Sequence, residues 1–414
     1  MSAFRGQLGC LRCGEIVPAR QSATPCPACA EEGHAVACLP IYDLDRVGQW
    51  APNVANKGLF RYPQLLPVDV SSAISLHEGN TPLVQCKRLA DHLGVGQLHV
   101  KDETRNPTWS YKDRLAAIAV TQAVEAGSPG VVVSSTGNHG AAVAAYAAAA
   151  GLPCLVLTLE SVPREMKVLI QSYGSDIVAL RTGPERWVVM AELVADRGWA
   201  PMSGYVDPPL GSNPYGVEGY KSIAYELYDQ IGGVPDVVVC PTAYGDGIVG
   251  VARGFAELRD LGITTSVPKM VAADPLGAYA AGLAQGLGSR VPFTPTVSFS
   301  TGTPVATYQG LWAVESTNGH AVRGFSDKEI LDAQYDLSRL EGMYVENSAA
   351  TAVAAVRELV TTGALGPSDH VVVIGTSTGL KDTGATATHL AAVPTIDATV
   401  ESLDAALESM RPNA

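Results

Sequence analysis

The chain is short of basic side chains: 28 Lys and Arg residues stand against 41 Asp and Glu residues, a formal net charge of −13 over 414 residues. Binding to nucleic acid needs clustered positive charge, so this balance excludes that class of partner. No apolar run reaches the ~18 residues that span a bilayer, and residues 1–6 lack the apolar core of a secretion signal. We therefore expect a cytoplasmic protein with neither membrane nor nucleic-acid partners.

Cysteine is also sparse, with eight residues, which is far below the density of a disulfide-stabilised domain. Four of them are nevertheless patterned as Cys10-x-x-Cys13 and Cys26-x-x-Cys29, with twelve residues between the pairs. Two such pairs can close a tetrahedral four-cysteine site around zinc. Four thiolates would leave no open coordination position, so this zinc would be structural. Two redox-active dithiols are the alternative interpretation.

Short apolar runs alternate with helical periodicity along most of the chain. The predicted strands are Leu98–Lys101, Val131–Ser135, Cys154–Thr158, Ile177–Leu180, Val237–Cys240, Met270–Ala273 and Val371–Ile374. The clearest predicted helices are Ala141–Ala150, Glu218–Ile231, Ile248–Leu258 and Ala349–Leu359. Strands that are apolar throughout, joined by crossovers of helical length, predict an α/β fold with parallel sheet covered by helices on both faces.

Two further segments lack this alternation. Residues 286–325 are rich in Thr, Gly and Pro, which predicts a long loop close to a site. Residues 399–411 carry apolar side chains at helical spacing, which predicts a terminal helix docked on the body of the protein.

One lysine has a plausible chemical role. Lys112 stands in the segment Asn106–Arg114, directly before the apolar run Leu115–Val120, and so near a junction between loop and helix. Free backbone N–H groups and the helix dipole favour anions there. A desolvated lysine loses its proton more easily and can form a Schiff base with a carbonyl. Taken alone, a surface helix start with an ion pair is the more common interpretation.

Three further loops follow predicted strands: Ser134–Gly140, Pro241–Gly247 and Gly375–Asp382. In parallel sheets, ligands bind beyond the carboxyl ends of the strands. Small residues there let backbone amides approach an anion. With Lys112, the loops would supply an amine, a contact for a ring hydroxyl, an anion cradle and a partner for a ring nitrogen. These are the needs of an aldehyde cofactor that carries a phosphate.

With these segments the chain resembles the threonine synthase branch of the fold-type II pyridoxal-phosphate (PLP) enzymes, relatives of the tryptophan synthase β chain. The resemblance covers most of residues 75–385, in the order of that family. The segments that carry it are His77–Leu83, Asn106–Arg114, Ser134–Gly140, Asn213–Tyr215 with Glu218-Gly219, Glu346–Ala350 and Gly379–Asp382.

The resemblance implies a fold of two domains, each with a central, mostly parallel sheet covered by helices, and a small N-terminal four-cysteine knuckle. The implied division is a zinc-ribbon-like knuckle at 1–40, an arm at 41–75, a larger PLP-binding domain at 76–98 and 206–390, a smaller mobile domain at 99–205, and a C-terminal tail at 391–414. A homodimer is expected by analogy with the family.

The family also implies roles for single residues. Lys112 would hold PLP as a Schiff base and carry the Cα proton of an amino-acid substrate. Asn138 would bind the ring hydroxyl, and Thr376 would face the pyridine nitrogen. The residues assigned to the phosphate are Gly245, Asp246 and Gly247, and those assigned to the substrate are Ser135, Thr136, Asn138, His139 and Trp109. The Asp246 carboxylate is expected to turn away from the phosphate, or to meet Lys221 or Arg253.

Some positions depart from the family. Gly216 stands where an arginine usually follows the Asn-Pro-Tyr motif, Leu210 and Gly211 replace polar residues, and no arginine lies between Trp199 and Arg253. The phosphate of O-phosphohomoserine would lose charge-assisted hydrogen bonds. Two functions therefore stay open: a threonine-synthase-like lyase, and an enzyme of β-elimination or β-replacement in the style of cysteate synthase or serine/threonine dehydratase. A non-catalytic PLP-binding protein is a third alternative, disfavoured by the retained Lys112, Asn138 and Thr376.

Overall fold

The computed structural model describes residues 2–19, 24–48 and 50–410. Its strands are β1 (Phe4–Cys10), β2 (Ile16–Pro18), β3 (Cys38–Tyr42), β4 (Leu83–Gln85), β5 (Gln97–Asp102), β6 (Val131–Ser134), β7 (Cys154–Leu159), β8 (Asp176–Leu180), β9 (Ala200–Pro201), β10 (Val237–Pro241), β11 (Lys269–Ala273), β12 (His320–Ala321) and β13 (His370–Gly375). All seven predicted strands are confirmed, within one residue at each end.

The helices are α1 (Pro27–Glu31), α2 (Lys87–Leu93), α3 (Lys112–Glu125), α4 (Asn138–Ala150), α5 (Arg164–Ser172), α6 (Gly183–Arg197), α7 (Pro214–Val217), α8 (Lys221–Ile231), α9 (Asp246–Asp260), α10 (Ala278–Gln285), α11 (Tyr308–Glu315), α12 (Asp327–Glu341), α13 (Asn347–Thr361), α14 (Thr383–His389) and α15 (Val400–Met410). The four predicted helices are confirmed, the second as a 3₁₀ turn at Glu218–Tyr220 that continues into α8. Within the described ranges, no helix combines the length and the apolar character needed to cross a membrane.

Three sheets organise the chain. The largest has the order β12-β11-β10-β13-β5-β4 and is parallel except for β4, which pairs antiparallel to β5. A four-stranded parallel sheet has the order β8-β7-β6-β9, and β1 with its neighbours β2 and β3 forms a small antiparallel sheet. The predicted α/β fold with mostly parallel sheets is therefore confirmed.

Alternating valines explain why the largest sheet is buried on both faces. Val238 and Val372 join the apolar core on one face, while Val237, Val239 and Val371 join the core on the other. Side chains in a strand point alternately to opposite faces, so an all-apolar strand needs cover on both. Helices on each side provide it, and the carboxyl ends of β10 and β13 remain side by side at one edge.

The chain passes between the two larger sheets after β5. This strand pairs with β13 over its whole length, from Gln97 to Asp102, so the predicted boundary between residues 98 and 99 falls inside a strand of the larger sheet. The division of the chain into domains stays a prediction, and the sheet pairing places the crossing after Asp102.

The N-terminal segments pack on the body of the protein. The Tyr215 hydroxyl of α7 donates to the Ala19 carbonyl at 2.8 Å, and Arg253 Nη2 of α9 donates to the Pro40 carbonyl at 2.6 Å. In the arm that follows, the Trp50 ring lies 6.2 Å from the Tyr225 ring of α8, measured between centroids. The small antiparallel sheet and the arm therefore lie against helices of the larger unit.

Two expectations for irregular segments need correction. The segment 286–325 is a loop only in part, because it contains α11 and β12. The terminal helix exists as α15, but no residue of it is buried, and its apolar Val400 and Leu403 are 68% and 44% exposed. The prediction that it docks on the body is wrong, since helical spacing of apolar residues shows a face but no partner for it.

Candidate active site

A cavity of about 380 Å³ opens where strand ends of the two larger sheets meet. Its walls come from loops that follow β6, β9, β10 and β13, and from residues 299–303. The carboxyl ends of parallel strands are the usual ligand-binding edge, and the volume suits a small molecule. The prediction that the loop before α11 lies near a site therefore agrees with the structure.

Lys112 is the first residue of α3 and lines this cavity. The Tyr111 N–H donates to the Thr376 carbonyl at 2.9 Å, and Ser110 pairs with Ser377, so the lysine loop is tied to the end of β13. Among the described residues, Lys112 Nζ has no hydrogen bond or ion pair, and lies 5.1 Å and 5.8 Å from the ring centres of Tyr111 and Tyr220.

The surroundings of Lys112 favour its neutral form. Burial lowers the pKa of the Lys112 ammonium group, and the carboxylates of Asp246 and Glu346 act in the opposite direction. Thr376 lines the cavity beside it, and its hydroxyl has no hydrogen bond to the rest of the described chain. An unpaired amine and an unpaired hydroxyl thus face one space.

Asn138 lies at the start of α4, and its amide is held on both sides. Its Nδ2 donates to Glu346 Oε2 at 2.9 Å, while its Oδ1 accepts from Lys381 Nζ at 2.7 Å and from Ser377 Oγ at 3.2 Å. Burial lowers the pKa of Lys381 to about 8, against the opposing effect of Glu346 and Asp113. Such a network fixes the orientation of the Asn138 amide toward the cavity.

The predicted phosphate loop forms the N-terminus of α9. Gly245 has φ of +78°, a left-handed conformation that favours glycine. A Cβ at Gly247 would lie 2.8 Å from the Tyr111 ring, so the loop packs closely against the lysine segment. The first N–H groups of a helix have no intrahelical acceptor, and they favour an anion.

Asp246 is the acidic exception in this loop. Its carboxylate accepts hydrogen bonds from the Ser212 N–H at 2.9 Å, the Ser212 hydroxyl at 2.6 Å and Gln309 Nε2 at 2.7 Å. The expectation that it meets Lys221 or Arg253 is wrong, because those two cations pair with Glu218 instead. Because three donors hydrogen-bond to the Asp246 carboxylate, its negative charge is partly compensated and opposes a bound phosphate less.

The residues assigned to the substrate do not all share one environment. Ser135, Thr136 and His139 line the cavity with Asn138. The Ser135 hydroxyl accepts from the N–H groups of Gly137 and Gly140, so it shapes the turn into α4. Burial lowers the pKa of His139 well below its usual value, and its Nε2 atom is buried without a hydrogen bond to any described residue.

Trp109 is not brought to the cavity. Its side chain is 47% exposed, its φ is +59°, and it is absent from the cavity lining. Its predicted contact with the substrate therefore has no geometric support. Its backbone carbonyl accepts from the Thr378 N–H at 3.2 Å, which gives this position a role in the joint between the lysine loop and the end of β13.

Two charged residues of the cavity were given no role from the sequence. Glu346, before α13, holds Asn138, and Arg186, in the first turn of α6, also lines the cavity. The sequence contained one signal for Arg186: a cation is disfavoured at the N-terminus of a helix, so an arginine at that position indicates a function. Burial lowers the pKa of its guanidinium.

The four patterned cysteines converge at the other end of the chain. The sulfur atoms of Cys10, Cys13, Cys26 and Cys29 lie within 4.8 Å of one another, and three of the Sγ–Sγ distances are 3.6 Å. Tetrahedral zinc with Zn–S bonds of ~2.3 Å requires sulfur atoms about 3.8 Å apart. The donor set and its geometry therefore fit a structural zinc ion.

We expect Cys10→Ser to lose the bound metal, because a hydroxyl is a poor replacement for a thiolate at such a site. Metal analysis of the purified protein should give about one zinc per chain for the unmodified protein and a marked deficit for the variant. Cys240→Ser, at a buried cysteine remote from the cluster in sequence, serves as the control and should keep the zinc. Full zinc content in Cys10→Ser would refute the site.

Comparison with known proteins agrees with this geometry. The sequence matches the profile of the family described as pyridoxal-phosphate dependent enzyme over residues 74–377, and the chain belongs to that family. Threonine synthase from Methanosarcina acetivorans is 35% identical over 348 residues, which cover 82% of this chain and 83% of that protein. Threonine synthase from Methanocaldococcus jannaschii is 32% identical over 386 residues, covering 90% and 92%. The chain is thus a PLP-dependent lyase of the threonine-synthase-like kind, as the motifs predicted.

Solved structures show the same fold. Maize serine racemase aligns with a TM-score of 0.62 at 24% identity, over 72% of this chain and 88% of that one. A fungal L-serine ammonia-lyase from Rhizomucor miehei aligns with a TM-score of 0.61 at 21% identity, over 74% and 95%. The predicted fold type II is therefore confirmed.

Proposed function

We propose that this enzyme eliminates or replaces a leaving group at the β or γ carbon of an activated amino acid, with O-phosphohomoserine as the first candidate substrate. The observation that carries the proposal is Lys112: an amine with no partner among the described residues, at a helix start, facing the same cavity as Asn138, Thr376 and the α9 N-terminus. Its lowered pKa favours the neutral amine that attacks an aldehyde.

The residues present fit PLP. Lys112 would hold the aldehyde carbon, the Thr376 hydroxyl would face the pyridine nitrogen, and the N-terminus of α9 at Gly245 would receive the phosphate. Asn138 would reach the ring hydroxyl by sharing its Nδ2, which now donates to Glu346. PLP supplies an electron sink for the charge left at Cα when a proton is removed.

The chain's own groups would manage protons and charge. Lys112 would carry the Cα proton of the substrate, because its lowered pKa favours the neutral amine that can accept a proton. The N-terminus of α4, which begins at Asn138 and His139, would receive the α-carboxylate of the substrate. Because His139 is held neutral by burial, it adds no charge there.

A neutral hydroxyl at the ring nitrogen bears on the type of reaction. Unlike a carboxylate, Thr376 carries no charge to keep that nitrogen protonated, which moderates how much negative charge the ring absorbs. Elimination and replacement need less of this absorption than transamination. Thr376 is therefore consistent with the lyase chemistry.

One observation favours the alternative, β-elimination or β-replacement on a serine derivative. Gly216, where the family arginine is expected, does not line the cavity, and a Cβ there would lie 2.8 Å from Leu115. An arginine cannot stand at this position without displacing α3. Recognition of a distal phosphate in the usual way is therefore lost, and a shorter substrate remains a competing candidate.

A substrate panel separates the two. O-phosphohomoserine, O-phosphoserine, serine and threonine would be offered to the purified holoenzyme, and released phosphate, 2-oxo acids and threonine would be measured. We expect phosphate release and threonine from O-phosphohomoserine. Turnover of serine derivatives alone would support the alternative, and no turnover by protein that carries PLP would contradict both.

A further inference from the structure

Arg186 is the feature of the cavity that the proposed function does not use. It belongs to α6, on the four-stranded sheet, and lines the cavity, where Tyr244 lies close enough to act on its charge. Lys112 and Arg186 are the two cationic side chains among the described lining residues.

The guanidinium of Arg186 has no counter-ion in the part of the chain that the structure describes. No hydrogen bond or ion pair joins it to any described residue, and its Nε atom is buried without a partner. The two carboxylates that line the cavity are engaged elsewhere, Asp246 by Ser212 and Gln309, and Glu346 by Asn138. Leaving a buried charged donor unpaired is unfavourable, so such a group in a binding cavity indicates a ligand anion.

Two expected anions already have separate places. The cofactor phosphate has the N-terminus of α9, at the end of a strand of the six-stranded sheet, and the substrate α-carboxylate has the N-terminus of α4. Arg186 comes from a third element, α6, which forms neither of these two places. The substrate side chain is the part of the ligand left to supply an anion for it.

We propose that Arg186 is a specificity-determining residue that binds an anionic group, such as a phosphate, at the far end of the substrate side chain. This inference rests on the proposed function, since it presumes an amino acid bound to PLP. Arg186 thereby replaces, from a different helix, the arginine that is missing at Gly216. A planar guanidinium can hold two oxygens of a phosphate, sulfonate or carboxylate at once.

The test uses non-reacting ligands of equal length. L-2-amino-5-phosphonopentanoate carries a methylene in place of the ester oxygen of O-phosphohomoserine, so its phosphonate cannot leave. L-2-aminoadipate ends in a carboxylate, and L-norleucine ends in a methyl group. Isothermal titration calorimetry of the holoenzyme gives the three dissociation constants. We expect at least one anionic ligand to bind more tightly than norleucine, and the order of the two identifies the preferred anion.

Arg186→Gln should weaken binding of the anionic ligand by ~10- to 100-fold, because a charge-assisted pair is lost. The affinity for norleucine should stay nearly unchanged. Arg186→Lys should recover part of the preference. Arg197→Gln, at an exposed arginine of the same helix outside the cavity lining, is the control and should keep all three affinities. Cofactor absorbance should be the same in all variants.

Other outcomes overturn the inference in distinct ways. Equal weakening of all three ligands in Arg186→Gln would make the residue structural. A loss of PLP affinity with the anionic preference intact would assign Arg186 to the cofactor phosphate. If the unmodified protein binds PLP but binds norleucine as tightly as both anionic ligands, the role of Arg186 is contradicted and the proposed function is not. If the protein binds no PLP, the proposed function itself is contradicted.

Discussion

We expect Lys112→Ala to lose the absorbance band at ~400–430 nm that PLP shows when joined to a lysine, and to lower turnover at least ~10³-fold. The reason is geometric. Lys112 lines the cavity and has no partner in the described part of the chain, while the nearby Lys381 is held by Asn138. With alanine at position 112, the described lining offers no second lysine to take its place.

Two variants make this result specific. Lys112→Arg keeps a positive charge but cannot form the covalent bond, so it should lose the band as alanine does. Lys328→Ala removes an exposed lysine of α12 and should change neither the spectrum nor the turnover. Borohydride reduction of the unmodified holoenzyme should fix the cofactor to the peptide that contains residue 112. A band retained in Lys112→Ala would mean that another lysine holds the cofactor.

The strands and helices near the site could be predicted because their signal is local. Strands β10 and β13 are short runs of β-branched residues, which report burial on both faces without knowledge of the partner strand. The segments around Lys112, Asn138 and Thr376 could be predicted for a related reason, since each directly follows or precedes such an element. Their meeting in one cavity follows from parallel strands sharing an edge.

Pairings between distant side chains could not be predicted. Cations were expected as partners of Asp246, yet its carboxylate accepts from Ser212 and Gln309. These two side chains are neutral, so nothing in the sequence distinguishes them as partners of a carboxylate. Arg186 reaches the cavity only because α6 lies against the four-stranded sheet. The alternative interpretation of the Lys112 segment, a surface helix start with an ion pair, does not describe the structure, because Arg114 is fully buried and pairs with buried carboxylates.

Arg114 is the centre of a buried charge cluster. Its Nε and Nη2 atoms donate to Glu103 at 2.8 Å each, and its Nη1 and Nη2 atoms donate to Glu226 at 2.6 and 2.8 Å. Lys101 Nζ lies 2.7 Å from Glu226 Oε2. Glu103, Arg114 and Lys101 are 0% exposed, and Glu226 is 2% exposed. Two cations therefore balance two carboxylates away from water, directly behind the lysine loop.

We expect Arg114→Met to lower the free energy of unfolding by ~3–5 kcal/mol, because it leaves two buried carboxylates with a single cation. The measurement is urea unfolding followed by circular dichroism. Arg259→Met is the matched control, since Arg259 pairs with Asp260 on the surface, where both side chains are nearly half exposed. A surface pair of this kind contributes little, so the control should unfold close to the unmodified protein.

The loss of unfolding free energy in Arg114→Met should depend on pH if its cause is electrostatic, and should not if its cause is lost packing. Burial acts to raise the pKa of Glu226, but Arg114 and Lys101 outweigh it and hold the pKa below its usual value. The stability this provides is present above the unfolded pKa of ~4.3 and is lost as pH falls through the lowered folded value. In Arg114→Met the carboxyl pKa rises instead, so the folded variant takes up protons more readily on acidification. The difference in stability should therefore narrow from pH 8 to pH 5; a deficit independent of pH would assign the loss to packing alone.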